Sequence, residues 1–245
     1  MSSNLKRFFC FGFISFCVQP VFSENLSASK THLFTASTTF ATDYKFRGIS
    51  QTMNDPAVHA SFDYAHSSGF SAGVWGSNID SAESGPADDE ADLELDIYVG
   101  WGTNFNDDWA VNGTLIHYLF PGTASGFDLD WTEFQFDLHY QDYLSFQIAY
   151  SDEVFNLKDS GLYYGLSGNY PIADKYRLIA SVGYSDLDDA LGDSYVDFSI
   201  GAEADIGIFT AQLVYVGADN NGADLFGDNK ADQRFVFSIS TELSQ

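Results

Sequence analysis

Apolar and polar residues alternate along most of the chain, which is typical of β-strands with two chemically different faces. In residues 34–48 the even positions are mostly apolar or aromatic, and the odd positions are mostly polar. Eleven later segments repeat this alternation, so the sequence predicts twelve strands. The eleven segments are 57–66, 69–79, 92–101, 109–120, 129–140, 143–151, 162–170, 176–185, 194–205, 209–218 and 233–243.

The connections between these segments alternate between short turns and longer, mostly acidic loops. Strands of about ten residues, an even strand count and this alternation are typical of outer-membrane barrels. A secreted antiparallel sandwich would also show alternating residues, but nothing in that fold ties loop length to the order of the strands. The sequence therefore favours an all-β, antiparallel up-and-down transmembrane barrel of about twelve strands.

The first residues resemble an export signal. Lys6 and Arg7 precede an apolar run of eleven residues, and Ser23 offers a small side chain at a cleavage site. We therefore predict a signal peptide at 1–23 and a single barrel domain at 24–245. Both cysteines, Cys10 and Cys17, lie in the predicted signal, so the mature chain would have no disulfide and no cysteine ligand for a metal.

The formal charge of the mature chain indicates which partners it can bind. Removing Lys6 and Arg7 with the signal leaves eight Lys and Arg against 35 Asp and Glu, a formal charge of −27. Such an acidic chain is not expected to bind nucleic acid, and small polar solutes or cations fit it better. As an outer-membrane barrel it would contact lipid and lipopolysaccharide. The pattern does not predict an oligomeric state.

Residue parity predicts which side chains face the lumen, because the apolar face of a membrane strand contacts lipid. In the first strand this places Phe34, Phe40, Tyr44 and Phe46 in lipid. The predicted pore-lining residues on the first and last strands are Asp43, Lys45, Arg47 and Arg234. Since these two strands must pair to close the barrel, Lys45, Arg47 and Arg234 are expected to form one basic patch.

Acidic side chains dominate the rest of the predicted lumen. The inward-facing acids are Asp63, Asp92, Glu94, Asp96, Glu133, Asp137, Asp197 and Glu203. A basic patch opposite acidic walls would set up a transverse field that favours polar solutes and cations. Alternatively, the three cations Lys45, Arg47 and Arg234 pair with Asp43 and Asp63 and help to fill the barrel. A twelve-stranded barrel is compatible with both an open and a filled interior.

Two stretches resemble a known family. Residues 42–51, apart from Lys45 and Ile49, and residues 69–78, apart from Ser71, resemble the TorF family of small proteins described as porins. Lys45 stands where the family usually has arginine. The resemblance implies an outer-membrane location and a channel role.

Two stretches carry residue types that occur in catalytic or metal-binding sites. His139 shares a predicted face with Asp137 and Glu133, but a solvated cluster of carboxylates accounts for this more simply than an acid–base group. Residues 219–224 (DNNGAD) carry oxygen ligands without the pattern of a calcium loop. We therefore predict no enzyme activity, no cofactor and no metal site.

The sequence thus predicts a passive outer-membrane channel for small polar or cationic solutes. The alternative is a barrel that does not conduct and binds ligands or divalent cations through its acidic loops.

Overall fold

A computed structural model describes residues 31–80, 91–124 and 128–245. In these residues twelve antiparallel strands form one closed barrel, so the predicted fold is confirmed. The predicted signal peptide and residues 81–90 lie outside the described residues. The barrel strands are β1 His32–Ala41, β4 Ala57–His66, β5 Phe70–Asn78, β6 Leu93–Asn104, β7 Trp109–Leu119, β8 Trp131–Tyr140, β9 Leu144–Ser151, β10 Gly161–Ala173, β11 Tyr176–Asp186, β12 Tyr195–Ile206, β13 Phe209–Ala218 and β14 Arg234–Ser244.

Neighbouring strands in the chain are also neighbours in the barrel, and β1 closes it by pairing with β14. One end of the barrel, here called the short-turn end, carries the connections 67–69, 105–108, 141–143, 174–175 and 207–208. The opposite, long-loop end carries residues 42–56, 120–130, 152–160, 187–194 and 219–233, of which 125–127 are not described. Short turns and long loops therefore alternate along the chain, as the sequence predicts.

The outer surface of the barrel is apolar. Side chains such as Ile97, Leu115 and Leu213 are about half exposed, and their neighbours in sequence turn inward. Exposed apolar surface on every strand is unfavourable in water, whereas it suits the hydrocarbon core of a bilayer. The alternation along the strands is thus explained by lipid on one face and the barrel interior on the other.

A charge on this outer surface should destabilise the barrel. Leu115 lies near the middle of β7 and is 48% exposed. We expect Leu115→Arg to lower the free energy of unfolding by about 2–4 kcal/mol in a bilayer, because the guanidinium would lie near the membrane midplane. Urea unfolding of barrels folded into liposomes measures the change, with Leu115→Ala as the control for loss of the side chain. An equal effect of the two substitutions would argue against a lipid-facing position.

The first strand is shorter than the sequence predicts. β1 ends at Ala41 instead of continuing to residue 48, and the chain then forms a separate two-stranded sheet of β2 Lys45–Phe46 and β3 Ile49–Ser50. We call residues 42–56 the inner hairpin, since they contact inward-facing residues of several barrel strands. The prediction that Tyr44 and Phe46 face lipid is wrong: both are buried inside the barrel.

Short helices lie at the long-loop end. They are α1 Asp188–Leu191, α2 Asn220–Phe226 and α3 Asp228–Ala231, with one 3-10 turn at Val154–Asn156. Asp219 caps α2 by accepting a hydrogen bond from the Gly222 backbone, so one acid of the predicted DNNGAD loop has a structural role. Within the described ranges, every helix is too short or too polar to cross a membrane.

Candidate functional site: the inner hairpin in the barrel lumen

The turn of the inner hairpin is tight and strained. Arg47 and Gly48 have φ angles of 47° and 81°, which places both central residues of the turn in the left-handed region. Glycine adopts this conformation freely, whereas arginine does so at a cost. A Cβ atom on Gly48 would lie 2.7 Å from the carbonyl oxygen of Gly217 on β13. The hairpin therefore reaches the barrel wall so closely that only glycine fits at its tip.

Hydrogen bonds close the base of the hairpin. Asp43 accepts bonds from the hydroxyls of Ser50, at 2.6 Å, and Thr52, at 3.1 Å. The Gln51 backbone donates to the Tyr44 carbonyl at 2.7 Å. Asp43 therefore organises the loop locally as well as carrying charge into the lumen.

Lys45 fastens one side of the hairpin to the last long loop. Its Nζ donates to the carbonyls of Lys230, at 2.9 Å, and Asp232, at 3.1 Å, and lies 3.7 Å from Asp43. Its ion pair with the Asp232 carboxylate spans 3.1 Å, and Arg234 contacts that same carboxylate at 2.6 Å. Partial burial alone would raise the pKa of Asp232, but the hydrogen bonds from Arg234 and Lys45 hold it below its usual value.

Arg47 crosses the lumen to the opposite wall. Its Nη2 donates to both carboxylate oxygens of Glu133 on β8, at 2.8 and 2.7 Å, and both side chains are buried. The guanidinium lies 4.2 Å from the ring centroid of Tyr163 on β10 and 4.7 Å from that of Phe46. The expected patch of three cations is therefore wrong: Lys45 and Arg234 share Asp232, while Arg47 extends to β8.

Several buried acids surround this ion pair. Glu94 accepts a hydrogen bond from Tyr44 at 3.3 Å, and Glu133 accepts others from Tyr118 at 3.3 Å and Gln135 at 3.0 Å. Asp96 is fully buried, and neither of its carboxylate oxygens has a hydrogen-bond partner among the described residues. Carboxyl groups therefore outnumber cationic groups in this part of the lumen, and the Arg47 guanidinium pairs with one of them.

An aromatic cluster covers the hairpin at the long-loop end. Trp131 stacks on Tyr118 with ring centroids 4.3 Å apart, and Phe155 contacts Trp131 at 5.3 Å. Phe226 of α2 contacts Phe155 at 6.3 Å and Tyr195 at 5.6 Å. We call these five residues the aromatic roof. Phe46 of the hairpin lies 6.2 Å from Tyr118, so hairpin and roof pack together.

Polar side chains line the lumen at the middle level of several strands. Hydroxyl pairs span neighbouring strands, as between Ser37 and Ser61 at 2.8 Å and between Ser181 and Ser199 at 2.7 Å. All four serines lie in the interior: Ser199 is buried, and the other three are partly buried. Small hydroxyl side chains fill less of a barrel interior than the aromatic rings at the long-loop end, and they offer hydrogen bonds to a polar solute.

The remaining predicted pore-lining residues occupy several levels of the barrel. Asp63 accepts hydrogen bonds from Ser61 and Tyr98, not from Lys45 or Arg47. Asp137 and Asp197 are buried on the inward faces of β8 and β12. Glu203 pairs with Arg177 near the short-turn end. Asp92 is exposed and precedes β6, so its predicted place on a strand is wrong.

The candidate acid–base residues on β8 have separate hydrogen-bond partners. His139 hydrogen-bonds Ser145 at 2.7 Å, while Asp137 accepts a bond from Gln147 at 3.0 Å. In the described part of the chain, no group of three or more His, Cys, Asp or Glu side chains is arranged to hold a metal ion.

Sequence reasoning missed several residues of this site. Tyr118, Tyr163 and Trp131 face inward on β7, β10 and β8, and Asp232 lies outside any strand. A usable signal was present for the three aromatic residues, since each lies on the inward parity of its strand. Asp232 has no such signal, because its contact with Lys45 depends on how a long loop folds back.

Comparison with known proteins places the chain in a family. Residues 25–242 match the family model described as "Bacterial protein of unknown function (Gcw_chp)". The chain belongs to the Gcw_chp family. The match does not confirm the TorF label. No curated protein sequence matches this Gcw_chp protein.

Solved structures of porins share the fold. A structure titled "KdgM porin" aligns with a TM-score of 0.51 and 6% identity, over 85% of this chain and 97% of that chain. A "NanC porin" structure aligns with a TM-score of 0.53 and 9% identity, over 84% and 97% of the two chains. At such low identity these similarities establish the barrel fold alone.

Proposed function

We propose that this protein is an outer-membrane channel for passive diffusion of small polar or cationic solutes, narrowed at its long-loop end by the inner hairpin. The observation that carries the proposal is a polar lumen obstructed by a hairpin whose two strands are not part of the barrel sheet. β2 and β3 pair with each other and not with the barrel strands. Lys45 and Arg47 hold these two strands through their side chains, so the tip of the hairpin can move without breaking the pairing of the barrel strands.

The lining supports a preference for cations. Glu94, Asp96, Glu133, Asp137 and Asp197 are buried on inward faces, whereas Arg47 is the cation that reaches the same region from the hairpin. A narrow lumen with excess negative charge attracts cations and repels anions. This charge, together with the apolar outer surface, supports a role in the outer membrane beside lipid and lipopolysaccharide. We propose no enzyme activity and no nucleic-acid binding.

The aromatic roof favours a second candidate function. Its residues pack against the hairpin as part of a continuous apolar cluster that also includes Ile49 and Leu187. A cluster packed this way would also suit a barrel that does not conduct and presents its acidic loops to ligands or divalent cations. Asp186, Asp188, Asp193 and Asp228 lie in or next to those loops.

Conductance measurements separate the two functions. In planar bilayers with a KCl gradient, we expect the protein to show small conductance steps with a reversal potential that favours K⁺. The preference should weaken toward molar salt, where the Debye length falls to about 3 Å. Heat-modifiable migration on gels serves as the control for folding. Silent but folded barrels would favour the binding protein, and anion preference would contradict the proposed role of the acids.

A further inference from the structure

The surroundings of Arg47 form a slot on the barrel wall that is independent of the hairpin. Glu133 provides the carboxylate, Tyr163 provides an aromatic face, and Gln135 and Tyr118 donate hydrogen bonds to Glu133. These four residues belong to β7, β8 and β10. The barrel therefore supplies a buried, oriented carboxylate beside a ring, which is the combination that binds guanidinium and ammonium groups.

Arg47 fits this slot imperfectly. It contacts Glu133 through Nη2 alone, although a guanidinium can offer two parallel donors to a carboxylate. Its Nε is buried and has no hydrogen-bond partner among the described residues. Its backbone also adopts the strained left-handed conformation, with φ at 47°. A free solute that is not tied to this backbone could align both donors with Glu133.

We propose that the slot formed by Glu133, Tyr163, Tyr118 and Gln135 binds solutes that carry a guanidinium or primary ammonium group, and that Arg47 occupies it as an internal competitor. The proposal rests on the channel function and names the class of solute for it. When such a solute displaces Arg47, the hairpin loses its contact with β8. Binding of the solute therefore favours movement of the hairpin away from the wall, which widens the lumen for the solute.

The test removes the competitor and supplies a small replacement. In Arg47→Ala, methylguanidinium chloride at about ten times its Kd should raise the Tm by about 3 °C, because it binds the folded slot. Sodium chloride at equal ionic strength and neutral N-methylurea should produce no such rise. The response should disappear in Arg47→Ala/Glu133→Gln and persist in Arg47→Ala/Glu242→Gln, since Glu242 is exposed at the short-turn end of β14.

The wild-type protein provides a second measurement that holds even if Arg47→Ala fails to fold. Methylguanidinium should compete with Arg47, so the Gln51 amide, bonded to Tyr44, should exchange with solvent faster while barrel amides do not. No change in Gln51 exchange, or equal Tm responses with and without Glu133, would overturn the slot. Conduction without any methylguanidinium response would refute the slot and leave the channel function intact. A specific response in a barrel that never conducts would support the slot and refute the channel function.

Discussion

Replacing residues 42–56 with Asn-Gly is expected to raise the single-channel conductance several-fold and make the open state continuous. Ala41 of β1 and Ala57 of β4 are direct partners in the barrel, so a two-residue turn can join the strands without changing their register. The replacement removes Tyr44, Lys45 and Arg47 from the lumen. It also removes Phe46, which packs against the aromatic roof.

Electrical recording in planar bilayers gives the result, and heat-modifiable migration establishes that the shortened barrel is folded. A suitable control is Lys45→Ala in the full-length chain. It breaks the contacts with Lys230 and Asp232 but keeps the Arg47–Glu133 pair, so we expect a smaller increase in conductance. A folded, shortened barrel with unchanged conductance would show that the aromatic roof alone closes the lumen, and would favour the binding protein.

The barrel was predictable because every strand has one face toward lipid and one toward the lumen, and this imposes the same alternation on each segment. A strand of about ten residues between lipid and a polar lumen must alternate, so the pattern survives in each segment and the twelve segments can be counted. Strands that neighbour each other in sequence also pair in space, so the pairing of β1 with β14 that closes the barrel was the one distant contact that had to be inferred.

The inner hairpin was not predictable by the same reasoning. Residues 42–48 continue the alternation of β1, so parity assigned Tyr44 and Phe46 to lipid although they pack inside the barrel. Length was the missed signal, because a strand of fifteen residues exceeds the nine to eleven or so that cross a membrane. The turn at Arg47–Gly48 was also hard to recognise, since asparagine or glycine usually occupies the first of these positions.

The ion-pair partners of Lys45 and Arg47 could not be predicted from residue parity, because they come from distant parts of the chain. Parity gave Lys45 and Arg47 the same direction, and both do enter the lumen, but from a hairpin instead of a strand. Lys45 then meets Asp232 from a distant loop, whereas Arg47 meets Glu133 on the far wall. A side chain on a barrel strand contacts neighbours at the same height in the wall. A side chain on a hairpin folded into the lumen can contact the opposite wall.

Removing the charge of Glu133 should release the hairpin while leaving the barrel folded. In Glu133→Gln the buried Arg47 guanidinium loses its only ionic partner among the described residues, and leaving a buried charge unpaired costs about 3 kcal/mol. The hairpin can avoid most of this cost by leaving the wall, because β2 and β3 share no backbone pairing with the barrel strands. We therefore expect the Gln51 amide to lose roughly a hundredfold of its protection against hydrogen exchange.

Hydrogen exchange followed residue by residue separates release of the hairpin from loss of the barrel. Amides within β7 and β12 should keep their protection in Glu133→Gln. The matched control is Glu203→Gln, which removes another buried inward-facing glutamate but one paired with Arg177 on β11, so protection of the Gln51 amide should not change. Arg47→Met in the Glu133→Gln background should restore much of the protection, because the unpaired buried charge is then gone. Equal protection of Gln51 in the wild type and Glu133→Gln would mean that the Lys45 contacts and the aromatic packing hold the hairpin, and that the Arg47–Glu133 pair does not.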